Sequence, residues 1–388
     1  MGSGETAQAV TTAMACAVAG FAAIQVALAT PLRCDQRTFL GLFLALYAAT
    51  AAGDLFLLTG GYRVAPHLAG AQMPLRALLG PLIYLYVRAM TAPAPRRLSP
   101  RDALAVTGPL GVLVAAAPFY RLPATEKLAL ADPLTRDPGT FALAVWSCAA
   151  ALALFVLFGF GYLAAAILHL RRHGARVRDH YANVEGRALG WLPVMLLVLG
   201  LGFLWHAAGA VWGLSGARPG WAGVAAGAAD LAFTVAFASC ALRQGQAGVP
   251  AATPTSAPYA RSALGEDRMA RIAAKLDAAL AQDRLFENPD LSLRLLAERV
   301  GVSEHYLSET LSRYLRTSFF DHVNACRIEA ACRRLAGSTE TVLAVALAVG
   351  FNSRSTFNAA FKKHAGTTPS AYRAEAKRAA APAAPATA

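Results

Sequence analysis

The side chains able to do chemistry in this 388-residue chain fall into two sets. The first is ionisable and set in apolar surroundings: Asp54, Arg76, His206 and Asp230 each interrupt a long hydrophobic run. A charge at mid-bilayer costs about 2.5–3.5 kcal/mol on insertion scales, so such groups face a bundle interior and take a partner. Arg76 with Asp54 or Asp230 is the expected ion pair. His206, beside Trp205, is a candidate for lining a cavity or sensing pH. Structural glue between helices is the competing role for all four.

The second set is polar and follows a pattern used twice. Ala297-Glu-Arg-Val-Gly301-Val-Ser303 precedes Leu307 and Leu311, and Ala346-Leu-Ala-Val-Gly350-Phe-Asn-Ser353 precedes Phe357 and Phe361. The small Ala lets two helices cross closely. The Gly suits a tight turn with left-handed backbone. Ser303 and Ser353 (or Asn352) are good N-caps. The i, i+4 apolar pair buries one stripe of the following helix and leaves the opposite face to solvent. This is a helix-turn-helix, whose second helix can lie in a DNA major groove. The stretch 320–336 between the copies reads as one connecting helix. Successive major grooves are about 34 Å apart, so two rigidly joined readers suit one turn of DNA.

Catalytic constellations are missing from the sequence. Gly213-Leu-Ser-Gly216 has the form of a G-x-S-G protease motif, yet the nearest histidine, His206, is about 13 Å back along a helix. There is no H-E-x-x-H, Walker A loop or G-x-G-x-x-G after a strand. The six cysteines show neither C-x-x-C nor metal spacing. No enzymatic activity, cofactor or metal is expected.

The elements that must position these residues are of two chemical kinds. Overall 56% of residues are apolar and 15% charged, with a mean hydropathy of +0.42, far greasier than a typical soluble domain. Apolar runs of bilayer length, about 17–25 residues, occur near 8–29, 39–59, 68–90, 103–120, 140–169, 189–212 and 221–242. Prolines interrupt the third and fourth. The first lacks the basic start of a signal peptide. With seven spans and the amino terminus outside, the internal loops hold ten basic residues and the external segments five, as the positive-inside rule requires. The expected fold is all-α: a seven-span domain over 1–242, a linker over 243–262, a cytoplasmic helical domain over 263–378 and a disordered tail over 379–388. The net charge of +13 points to nucleic acid, a membrane surface, or both.

At this point Leu291 to Arg373 resembles the DNA-binding domain of AraC-type transcriptional regulators. The resemblance is carried by Val349-Gly-Phe-Asn-Ser-Arg-Ser-Thr-Phe357 and by Phe361-Lys-Lys-His-Ala-Gly366-Thr-Thr-Pro369-Ser-Ala-Tyr372-Arg373. The whole chain is similar to bacterial regulators of that type in which a heptahelical membrane region precedes the DNA-binding part. The resemblance implies DNA readers at His305, Ser308, Glu309 and Ser312 on the first recognition helix. On the second it implies Arg354, Ser355, Asn358 and Lys362, with Arg354 set to read guanine and Asn358 adenine. Lys362, Lys363 and Arg313 are implied to meet phosphates. Glu309 departs from the basic or amide residue implied there. The expected function is a sequence-specific regulator tethered in a bacterial inner membrane. Its expected partners are double-stranded DNA, the lipid bilayer and an unknown small-molecule or protein signal, with a homodimer left open. The alternatives are a transporter with a regulatory domain and a passive membrane anchor.

Overall fold

The computed structural model describes residues 3–28, 32–92, 94–95, 98–130, 132, 134–184, 189–215, 219–247 and 264–380. The sequence expectations for most of the linker, for the tail from 381 on, for Gly216, and for Arg96, Arg97, Arg187 and Arg218 lie outside the described residues. Among the described residues the fold is all-α, with one isolated antiparallel bridge, Tyr181 to Ser292. Two compact units are present. One comprises 1–171 and 189–253, the other 172–188 and 254–388. The expected boundary near 243 assigned 172–188 to the apolar part; the described part of that segment, 172–184, groups with the carboxy-terminal helices instead.

The first unit contains α1 (Ser3–Leu28), α2 (Cys34–Leu58), α3 (Gln72–Arg76), α4 (Leu79–Thr91), α5 (Thr107–Ala115), α6 (Ala117–Tyr120), α7 (Ala124–Ala129), the greater part of α8 (Pro138–His180), α9 (Trp191–Ser215) and α10 (Ala222–Ala247). Among the described residues five helices, α1, α2, α8, α9 and α10, are long and apolar enough to cross a membrane. Their inner faces, together with α4, meet in a core of Phe43, Ile83, Tyr86, Phe155, Phe203 and Phe237. Their outer faces remain greasy: Phe21, Trp146, Leu157 and Leu197 are all exposed, the pattern of helices hydrophobic all round. Small residues set the closest approaches. A Cβ at Gly227 of α10 would fall 2.1 Å from Thr11 Oγ1 of α1, so only glycine allows the two helices to lie this near.

The third and fourth apolar runs are not single long helices. Pro66 opens one short 3-10 turn, Pro74 lies within α3 and Pro81 within the first turn of α4. Pro100, Pro109 and Pro118 similarly divide the next run into a 3-10 turn over Pro100–Val106, then α5 and α6. Proline lacks the amide a helix interior needs, so each run breaks where the ring falls.

The second unit contains α11 (Glu266–Gln282), α12 (Leu293–Val300), α13 (Glu304–Glu309) continued by a π turn over Thr310–Tyr314, α14 (Phe319–Gly337), α15 (Val342–Ala348), α16 (Arg354–Ala365) and α17 (Pro369–Ala380). Helix α14 is the central connector; its Val323, Ile328, Ala331 and Leu335 are buried. It lies against α11, α15, α16 and α17.

Candidate functional site

Each reading element is built by the same local devices. Gly301 closes α12 at φ +73° and Gly350 follows α15 at φ +94°, conformations that an L side chain adopts only at a cost. Ser303 Oγ accepts the Tyr306 amide at 3.3 Å and Ser353 Oγ accepts that of Thr356 at 3.3 Å, which starts α13 and α16 as N-caps do. Phe357 and Phe361 are fully buried, and an aromatic chain runs from Phe351 through Phe357 and Phe361 to Tyr372 at 5.3, 5.5 and 5.6 Å. This ring stack fixes the roll of α16 about its own axis. Arg354, Ser355, Asn358 and Lys362 therefore share the outward face and are all exposed. Lys363 is exposed too, but its Nζ already pairs with Asp321 Oδ1 at 2.6 Å.

The first reader is arranged differently from the expectation. Ser312 and Arg313 are exposed, and His305 and Ser308 are half-buried. Glu309 is not on the outward face: it is 6% exposed. A π turn at Thr310–Tyr314 follows it directly. It takes the helix out of the regular 100° step, and Glu309, Thr310 and Leu311 are all buried in sequence. Arg313 Nη1 donates to the Glu309 carboxylate at 2.5 Å and His305 Nε2 stands 3.9 Å from it. The acid thus serves as an internal anchor for the arginine rather than as a face toward DNA.

A buried cation that sequence reasoning missed sits at the centre of this unit. Arg327 of α14 has no exposed surface. Its Nε donates to Phe286 O at 2.7 Å and its Nη2 to Asn288 O at 2.9 Å, while the guanidinium lies 5.3 Å from the Phe351 ring centroid. Burial pushes its pKa down to about 10, which still leaves it charged at neutral pH. Its position in a run of helix formers carries no signal of this; the acceptors come from distant loops.

Among the apolar helices the structure brings Asp54, Arg76, His206 and Asp230 together. Arg76 pairs with Asp54. Asp230 accepts from Tyr47 Oη at 3.0 Å and stands 3.4 Å from His206 Nε2. All four line a cavity of about 320 Å³ together with Gln8, Thr12, Trp205 and Trp212. Gln8, Thr12 and Tyr47 were not singled out in the sequence, where neutral polar residues in an apolar run carry little information.

Two helix-turn-helix elements on one connecting helix, with a polar stripe on the second, define a double helix-turn-helix domain of the DNA-binding kind. Residues 296–375 match the family described as "Helix-turn-helix domain", of the AraC type. Over 86 residues the chain is 40% identical to an uncharacterized HTH-type transcriptional regulator of Staphylococcus aureus (strain COL), covering 22% of this chain and 12% of that one. The same figures hold for its counterpart in Staphylococcus aureus (strain N315). Over 92 residues it is 28% identical to the probable transcription factor PqrA of Proteus vulgaris, covering 24% of this chain and 75% of that one. The chain thus spans about 12% of the length of the first relatives it matches. No solved structure matches it.

Proposed function

We propose that this chain is a membrane-embedded, sequence-specific transcription regulator. The observation that carries the reading is the exposed stripe Arg354, Ser355, Asn358 and Lys362 on α16, in a chain that also holds five helices of membrane-spanning length. Arg354 reads guanine and Asn358 adenine in the major groove. Lys362 and Ser312 contact the backbone, while Arg313 and Lys363 reach phosphate by giving up Glu309 and Asp321. Because both readers are on one chain, a monomer spans adjacent grooves, and a homodimer would double the site.

The apolar unit lies in a bacterial inner membrane, with the amino terminus outside and the second unit in the cytoplasm. The five long helices and the two proline-broken runs together make seven crossings. The cavity around Asp54, Arg76, His206 and Asp230 receives the signal, since its charges and tryptophans suit a small polar molecule with an apolar part. Full-length protein in nanodiscs, used to select from a random duplex pool, is expected to enrich one consensus that Arg354→Ala no longer enriches. A pool returned unchanged by the wild-type protein would refute the reading.

A further inference from the structure

We infer that the chain leaving α8 is a docking strap for the DNA-binding unit, seated on a surface built around Arg327 and ending on the turn that starts the second recognition helix. Residues 172–180 are the last turns of α8, a helix of membrane-spanning length, and 181–184 are the chain that leaves it toward α9, yet both belong to the second compact unit. Within that unit His173, Val177, Ala182 and Asn183 are buried.

The polar contacts are complementary. The Ala182 amide donates to Leu291 O at 3.1 Å, beside the Tyr181–Ser292 bridge. Asn183 Nδ2 donates to Pro289 O and, at 3.2 Å, to Gly350 O. Its Oδ1 accepts from Arg327 Nη1 at 3.2 Å, and the Ala182 carbonyl accepts from the same nitrogen at 3.4 Å. A carboxamide offers two donors and an acceptor on one end, which is what two carbonyls and a guanidinium present here. Arg327 forms no ion pair among the described residues, so Nη1 depends on the strap for both of its acceptors. A buried guanidinium without acceptors is strongly disfavoured. The surface is therefore complete only when the strap is seated.

The strap reaches the reading machinery in one step. Gly350 adopts φ +94°, and a Cβ there would lie 2.6 Å from Phe286 O; Phe286 O is itself held by Arg327. Asn183, Arg327 and the Gly350 turn thus form one connected hydrogen-bonded group just ahead of Arg354. Because the strap is covalently continuous with α8, a change in that helix has a physical route to the second reader. This rests on the reading of α16 as a DNA reader, and only the functional consequence depends on it.

Hydrogen exchange on the full-length protein in nanodiscs tests the docking without DNA. In the wild type the 180–184 peptide is expected to exchange at least tenfold more slowly than an unstructured peptide. Asn183→Leu, which removes both donated bonds and the Arg327 acceptor while keeping about the same size, should speed exchange at least tenfold in 180–184 and in 349–353. It should also weaken binding to the duplex selected by the wild-type chain by at least tenfold. A wild-type strap that exchanges at the unprotected rate, or a 349–353 segment indifferent to Asn183→Leu, overturns the proposal even if the variant folds poorly. If the wild type selects no duplex while the exchange pattern holds, the DNA reading fails and the docking stands.

Discussion

Arg354 occupies the first turn of α16, exposed and one turn ahead of Asn358 on the same face. A bidentate arginine–guanine contact is worth about 1–3 kcal/mol of discrimination. Arg354→Ala is therefore expected to weaken binding to the selected duplex by about tenfold or more and to relax one base position. Lys362→Ala should weaken all sequences alike and lower the salt slope by about one; titrations at two ionic strengths separate the two. Gly350 bears on folding rather than on contact. Gly350→Ala adds a Cβ at positive φ, costing about 1–2 kcal/mol, and sets it 2.6 Å from a backbone oxygen. The expected loss is about 2 kcal/mol or more, read from denaturant unfolding of the second unit. His322 supplies a pH dependence. Burial holds its ring below the ordinary histidine range, partly offset by Asp277, 3.4 Å away. The fold prefers the neutral ring, so the unfolded chain binds the extra proton once pH drops below about 6.5. The second unit should lose stability between pH 7 and 5, and His322→Gln should flatten part of that slope in exchange-detected unfolding.

Elements differ in how far the residues announced them. The two helix-turn-helix units were legible because every device in them is local: a glycine at the turn, a serine at the cap, an apolar pair four residues apart. The same logic placed Arg354, Ser355, Asn358 and Lys362 outward, since α16 is a regular helix. It failed at Glu309, because α12 packs on α13 and α11 on the turn that follows, neighbours that helical spacing alone does not announce. It also missed the strap, where Asn183 meets a carbonyl 167 residues away and no spacing rule operates. The proline-broken runs were visible as interruptions but not as separate helices. Among the apolar helices it was legible that Arg76 needs an acidic partner, with Asp54 and Asp230 both open; the structure pairs it with Asp54. The energetic role of the pair is testable by a cycle. Arg76→Leu and Asp54→Asn should each lower the thermal midpoint of the protein in detergent. The double variant should recover at least half of that loss, since the orphaned charge is what costs.

Taken whole, the molecule joins an apolar helical unit to a double helix-turn-helix, and the chain crosses between them more than once. The strap, described over 172–184, is covalently continuous with the long apolar helix α8 and belongs to the second unit. The most direct test of the central claim is genome-wide DNA occupancy of the full-length protein crosslinked in intact cells, in wild-type and Arg354→Ala forms matched for amount in the membrane fraction. Discrete wild-type peaks sharing one motif, lost in the variant, are the predicted result. Peaks that persist unchanged in Arg354→Ala, or no discrete wild-type peaks at all, would contradict it.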